Sequence, residues 1–346
     1  MPTRPASTEA LRAAAEAYER HGRNATAAAA ELGIARTTLQ TRLQIAARAP
    51  QSRPPPFEYP KIPGERVPVE ELLIRRKRQF EQRQNYEEAV KLIQVKVNVP
   101  GPIGILHFGD PHVDDDGTDV AALERHAKLV RETEGLFGAN VGDTTNNWCG
   151  RLARLYAEQS TSAAEAWDLA EWFIESVDWL YIIGGNHDAW SGAGDPIKWI
   201  QKGCNSAPYM SSEVRLALKL SGDHTIRINA RHDFAGSSIY NPAHGATKAL
   251  TWGVRDHIAS CGHKHISGHA VIKDPETGIT CHALQVASYK KFDRFAKERG
   301  FRDQTLSPCA LTTINTRLPP THPDLVKVWW EPEEGADFLG FLRRQK

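Results

Sequence analysis

The sequence predicts an α/β protein with a mixed, layered sheet, preceded by a small all-helical segment. Three observations carry that reading. From about residue 95, short apolar runs ("IGILHFGD", "LFGANVGD", "WLYIIGGNHD", "TIRINARHDF", "HIASCGHKH") alternate with longer stretches of helical periodicity. Such alternation implies strands and helices packed in layers. Residues 8–48, by contrast, show helical spacing throughout. Between the two regions, residues 49–68 ("APQSRPPPFEYPKIPGERVP") are rich in proline and read as an extended, semi-rigid spacer.

Taken in order, "TEALRAAAEAYERHG" places Leu11, Ala14, Ala15 and Tyr18 at helical spacing and ends at His21-Gly22. "NATAAAAELG" opens on the capping residue Asn24 and stops at Gly33. "IARTTLQTRLQIAAR" then puts Leu39, Leu43 and Ala46 on one face. Gly33 supplies a turn residue free of Cβ crowding. Two short helices joined by such a turn, the second rich in Arg, Thr and Gln, form a helix-turn-helix pattern. Arg36, Thr37, Thr38, Gln40, Thr41 and Arg42 have side chains that reach base edges and phosphates. The segment resembles the helix-turn-helix segments of bacterial and phage DNA-binding proteins. The plainer alternative is a helical bundle used for contacts between copies, and a homodimer is expected on either reading. The domain reading is 1–48 helix-turn-helix, 49–68 linker, 69–94 a charged helix carrying "IRRKRQ", and 95–346 the α/β domain.

Within that domain, "DVAALERHAKLVRETEG" and "SAAEAWDLAEWFIESV" are the clearest helices. "HAVIKDPETGITCHALQVASY" reads as a β-hairpin turning at Pro275-Glu276-Thr277-Gly278. A hairpin among crossover strands makes the sheet mixed.

Composition narrows the class. The 346 residues are 40% hydrophobic, enough for one large domain and a smaller one, and the net charge is +1. The first hundred residues hold 17 basic and 11 acidic side chains, a mild pointer to nucleic acid. Five scattered cysteines with no Cys-x-x-Cys pair argue against a disulfide framework or structural zinc and suit a reducing cytoplasm. No run approaches the ~20 apolar residues of a membrane span, and the N-terminus lacks a signal-peptide core. The expectation is a soluble cytoplasmic protein with no membrane partner.

The strand ends carry the chemistry. The first ends in Asp110-Pro-His112, the second in Gly142-Asp143 with Asn146 three residues on, and the third in Gly185-Asn186-His187-Asp188. The fourth ends in His232 and the fifth in Gly262-His263-Lys264-His265. In open α/β sheets ligands sit outside the carboxyl ends of the strands. These donors are oxygen and nitrogen without thiolate, which suits Mn²⁺, Fe, Zn²⁺ or Ni²⁺. There are too many for one ion. Two divalent ions about 3.5–4 Å apart would use them all, with manganese the first expectation. Residues two apart on a strand point to one face, as Asp110 and His112, or His263 and His265, would.

This ordered set resembles the calcineurin-like metallophosphoesterase family: Asp-x-His, Gly-Asp-x-x-Asp/Asn, Gly-Asn-His-Asp/Glu, a lone His, then Gly-His-x-His, over roughly residues 100–295. The resemblance implies a four-layer sandwich of mixed sheets flanked by helices. It implies one metal held by Asp110, His112 and His265, a second held by Asn186, His232 and His263, and Asp143 bridging them. It implies a water activated between the ions as the nucleophile. It implies that His187 faces the leaving-group oxygen, with Asn146 at the position whose acidic counterpart hydrogen-bonds that histidine in some members. Gly184 and Gly185 would permit the sharp turn this needs.

The fourth block has a rival, since His244 in "NPAHGATK" is also followed by glycine. His232 is favoured because it closes a strand alternating Ile226, Ile228 and Ala230. His244 and Lys248 would then open a helix whose N-terminus faces the phosphate. Asp114, Asp115 and Asp116 read as a solvated acidic loop, with a supporting role behind the ligands as the alternative. Trp148 and Trp190 read as packing or as stacking platforms for a base or sugar, and Lys290 as a phosphate contact.

The first expectation for function is a metal-dependent DNA phosphodiesterase or nuclease, because a DNA-binding segment tethered to a hydrolase raises the local concentration of DNA. That arrangement looks like proteins encoded by phages and prophages. The alternatives are a phosphatase or phosphodiesterase acting on a small molecule or phosphoprotein, and a DNA-binding regulator with a non-hydrolytic platform.

Overall fold

The computed structural model describes residues 6–48, 57, 60, 66–148, 153–188, 195–204, 207–300 and 306–345. Most of the proline-rich stretch, Cys149 and Trp190 lie outside them. The chain divides into two units, Met1–Arg76 and Lys77–Lys346.

In the first unit, α1 (Thr8–Arg20), α2 (Ala25–Glu31) and α3 (Arg36–Arg48) pack around Ala14, Ala17, Ala28, Ala29 and Leu39. The small side chains let three short helices approach closely. Ser7 and Asn24 accept hydrogen bonds from the first free N–H groups of α1 and α2, as N-caps do. At Gly33 the constraint is the dihedral rather than crowding. Its φ is +62°, and an added Cβ would meet nothing within 4 Å. On α3, Leu39 is buried, Arg36, Thr37, Thr38, Gln40 and Thr41 are exposed, and Arg42 is half-buried. The following helix, α4 (Val69–Val90), buries none of its residues.

The second unit is mixed α/β, built on two six-stranded sheets. One sheet holds β2 (Ile103–Phe108), β3 (Leu136–Asn140), β4 (Trp179–Ile183), β5 (Tyr209–Met210), β11 (Cys309–Ile314) and β12 (Val326–Trp329), in the order β12-β11-β2-β3-β4-β5. The other holds β1 (Ile93–Lys96), β6 (Glu213–Lys219), β7 (Thr225–Arg231), β8 (Ile258–Cys261), β9 (Gly268–Lys273) and β10 (Thr280–Gln285), in the order β1-β6-β7-β8-β10-β9. β2, β3 and β4 run parallel, as do β7, β8 and β10, while β11, β12, β6 and β9 join antiparallel. The expected hairpin is the β9–β10 pair.

Period-two alternation sorts the apolar side chains into layers. From β2, Ile103 and Ile105 face Leu216, Ile226, Ile228 and Ile258 in the core between the sheets. Leu106 and Phe108 face the opposite way, into a core with Leu123 and Val130 of α5 (Val120–Glu132), Phe173 and Ile174 of α7 (Ala163–Glu175), and Leu339 of α11 (Pro332–Arg344). On the far side, α9 (His244–Trp252) covers Ala259, Cys281 and Ala283. The layers are helix, sheet, sheet, helix. Short helices α6 (Ala153–Tyr156), α8 (Pro196–Cys204) and α10 (Arg294–Glu298) lie in the connections. Among the described residues no helix is long and apolar enough to cross a membrane.

Candidate metal centre

The parallel strands deliver their carboxyl ends to one place. Two groups of donors meet there: Asp110, His112 and His265, and Asp143, His232 and His263. In the first, His112 Nε2 lies 3.3 Å from His265 Nε2, which lies 3.2 Å from Asp110 Oδ2. In the second, His232 Nε2 lies 3.2 Å from Asp143 Oδ2, 3.1 Å from His263 Nδ1 and 2.9 Å from Asn186 Oδ1.

These spacings test whether a metal fits. Ligands bound at about 2.1 Å stand roughly 3.0–3.4 Å apart along the edges of an octahedron or tetrahedron. Both groups match. The imidazole nitrogens face one another, an arrangement that a shared cation stabilises. Asp110 Oδ1 is buried without a hydrogen-bond partner. The residues present therefore fit a divalent ion in each group.

Outer contacts aim the rings. His232 Nδ1 donates to the Val141 carbonyl at 2.9 Å, leaving Nε2 for the cluster. His265 Nδ1 lies 3.7 Å from Asp293 Oδ2. Asp110 Oδ2 accepts the His263 N–H at 2.7 Å, and Asp143 Oδ1 accepts the His187 N–H at 2.9 Å. The two groups are joined by the His112 N–H donating to the Asp143 carbonyl, 3.0 Å.

Electrostatics couples the groups. Burial, then the neighbouring His187 and His265, holds His112 well below the ordinary imidazole range, which favours a neutral ring with one nitrogen lone pair to offer. Burial raises the Asp143 carboxyl, but the charge and hydrogen bond of His232, with His187 and His112, outweigh it and hold the group low. Burial works against the charge on His232 too, yet Asp143 and Asp110 raise it to about 10. The ion pair stands in for charge that a cation would supply.

Several expectations change. Asp110 and His112 do not share a strand face, because β2 ends at Phe108 and His112 has φ +42°. His263 and His265 have φ +67° and +51°, and Asp143 has +51°. These four candidate donors are aimed by left-handed turns after the strands, not by strand alternation. Such strained backbone clusters at functional sites. Gly184 and Gly185 serve close approach rather than unusual dihedrals. A Cβ on Gly185 would lie 2.0 Å from Asp143 Oδ1, and one on Gly184 2.2 Å from the Tyr209 hydroxyl.

The Asn146 side chain does not reach His187. Its Nδ2 donates to Asp115 Oδ2 at 3.0 Å, and it is the Asn146 backbone carbonyl that accepts from His187 Nδ1, at 2.9 Å. Asp114 and Asp115 are not solvated, being 1% and 6% exposed. Asp114 Oδ1 accepts the Asn146 N–H at 2.7 Å, and burial raises its carboxyl to about 6. Only Asp116 of the three is exposed, bound to Ser160. Lys290 is not free for phosphate, since its ammonium is held by Asp115 at 2.8 Å and Asp293 at 3.3 Å.

His244 is not among the donors that meet. It begins α9, with its ring beside Gly236, and Lys248 is exposed on the same helix. Sequence reasoning gave no role to Asp188, which is buried and closes its loop by accepting the Gly185 N–H at 2.8 Å and the Thr145 N–H at 3.3 Å. Its place as the last residue of the Gly-Asn-His-Asp/Glu block is the signal that points to it.

No family model and no curated protein matches the sequence. Among solved structures, the chain is similar to the calcineurin-like phosphoesterase YfkN from Bacillus subtilis, at 11% identity over 70% of this chain and 99% of that one, with a TM-score of 0.36.

Proposed function

We propose that the chain is a dinuclear-metal-dependent phosphoester hydrolase, with DNA phosphodiesters as its first substrate class. The observation that carries the reading is the pair of donor groups, each spaced like the edge of a coordination shell and joined through His112 and Asp143. The five ordered motifs supply the same residues. Asp110, His112 and His265 would hold one ion and Asn186, His232 and His263 the other, with Asp143 between them. Divalent ions there would acidify a water and offset charge developing on the phosphate oxygens.

The chain's own groups do the rest. His187 is tied at Nδ1 to a carbonyl, so Nδ1 carries the proton and Nε2 is the edge left for chemistry. Its ring stands edge-on to His112, with centroids 5.1 Å apart. With Nε2 also protonated, the His187 imidazolium would give that proton to the leaving oxygen, ending as the neutral Nδ1–H ring, or would offset the oxygen's charge. Asp188 holds the loop that presents it. Asp115, Lys290 and Asp293 form a charged brace behind Asn146 and His265.

The choice of DNA rests on α3, whose exposed Arg36, Thr37, Thr38 and Gln40 suit a groove, with Arg42 beside them. The test is hydrolysis of bis-p-nitrophenyl phosphate and of labelled single- and double-stranded DNA, with Mn²⁺, with and without chelator. Metal-dependent DNA cleavage supports the proposal. Turnover of the small ester with intact DNA moves the substrate to a small molecule or phosphoprotein. A bound metal with no hydrolysis of either defeats the enzyme reading.

A further inference from the structure

A groove of about 760 Å³ runs along α4 from Gln79 to Lys91, walled on the other side by residues of α8, β5, β6 and β7. All of its lining residues belong to the second unit. Two hydrogen bonds join its wall to the metal centre. The Met210 carbonyl accepts the Gly184 N–H at 2.7 Å, and the Ser212 carbonyl accepts the His232 N–H at 3.0 Å. Gly184 stands two residues before Asn186, and His232 is itself a candidate ligand. Positive charge is in surplus. Five cations line the groove, Arg83, Lys91, Lys198, Arg215 and Arg231, against three carboxylates. Arg83 pairs with Glu87 and Arg231 with Glu213, while Asp195 accepts from the Tyr209 hydroxyl. Arg215 shares Asp256 with Arg227, so one carboxylate serves two guanidinium groups. Lys91 and Lys198 are exposed, and among the described residues no carboxylate holds either ammonium.

A surplus of accessible cations along a groove favours a polyanion. The uncharged lining narrows the choice. Gln82, Ser211 and Asn229 offer amide and hydroxyl donors, which bind phosphate and sugar oxygens. Tyr86 is 47% exposed and lines the same groove, an aromatic side chain of the kind on which bases stack. Cations that track a backbone, together with an exposed aromatic ring, are what a single nucleic-acid strand requires. An acidic peptide would use only the cations. We infer that this groove holds the sugar-phosphate backbone of a single strand beside the metal centre. The inference rests on the phosphoesterase reading for what happens to the strand, and not for its binding.

The experiment separates the two. The probe is a fluorescein-labelled oligothymidylate of about 12 nucleotides, within the span that such grooves cover. Phosphorothioate linkages keep it intact. Its anisotropy is measured with the full-length protein at several salt concentrations. Wild type is compared with a Lys91→Gln/Lys198→Gln double variant, whose folding is checked by thermal melting. The variant is expected to bind roughly 10-fold more weakly. Its salt slope should be shallower by about 1.4, since each phosphate contact on a single strand contributes about 0.7. Both proteins carry α3, so the difference belongs to the groove. Absence of binding by wild type, or equal affinity and slope in the two proteins, overturns the inference. So does tighter binding of labelled polyglutamate of equal charge, which assigns the groove to an acidic protein segment. Hydrolysis of bis-p-nitrophenyl phosphate is followed in parallel and should be equal in the two proteins. Weakened binding in the variant, without that hydrolysis in wild type, keeps the groove and removes the phosphoesterase reading. Hydrolysis with binding unmoved in the variant does the reverse.

Discussion

His187 donates through Nδ1 to the backbone carbonyl of Asn146, 2.9 Å away. A carbonyl only accepts, so the bond sets the tautomer and leaves Nε2 as the working edge. His187→Ala is expected to lower kcat by about 10²- to 10⁴-fold, with metal content unchanged by mass spectrometry. Equal loss of metal and activity would make His187 a ligand instead. Because a backbone atom holds the ring, Asn146→Ala should act less severely, through the lost contact to Asp115.

His232 stands at the centre of its group, within 3.2 Å of Asp143, Asn186 and His263. His232→Ala should reduce bound metal from about two ions per chain toward one, read by elemental analysis after dialysis. His244→Ala should retain both, since its ring lies beside Gly236 rather than among the donors. The opposite pattern would transfer the ligand role to His244.

Gly185→Ala would place a methyl 2.0 Å from Asp143 Oδ1. Overpacking of this kind destabilises by about 1–3 kcal/mol, and here the displaced atom belongs to a candidate ligand. A lower Tm together with weakened metal binding is expected. A melting curve and metal content like those of wild type would mean that the loop yields freely.

Four buried histidines away from the cluster contribute to acid sensitivity. Burial lowers His107 to about 3, and lowers His126, His257 and His282 to about 4. In the unfolded chain each titrates near about 6.5. Between those values the unfolded state binds more protons, so stability falls as pH falls. The contribution is complete above about 6.5 and is lost as pH passes down through about 4 to 3. Tm should therefore drop through that window, and His107→Gln, which keeps a polar side chain beside Thr312 and Tyr181, should flatten the drop. A pH-independent Tm would show that these rings are protonated at no cost.

Legibility differed by residue. The strands were readable because buried parallel strands are continuous apolar runs, and β2 and β4 are such runs in the sequence. The donors were readable as an ordered set of residue types at strand ends. Their aim was not. Alternation along a strand does not extend to His112, His263 and His265, which follow the ends of β2 and β8 and have positive φ. Asp114 and Asp115 looked solvated because three acidic residues in a row usually are. Lys290 and Asn146, distant in sequence, bury them instead.

What the sequence determined by itself was local and compositional. Apolar periodicity set the strands and helices, turn residues set their ends, and the spacing of Asp, Asn and His set which side chains leave each strand. Tertiary structure decided which of those side chains share an ion-sized space, which carboxylates are buried, and which backbone atom holds His187. Those outcomes depend on distances between residues far apart in the chain. Such distances are fixed only when two sheets pack face to face and bring five strand ends within hydrogen-bonding reach.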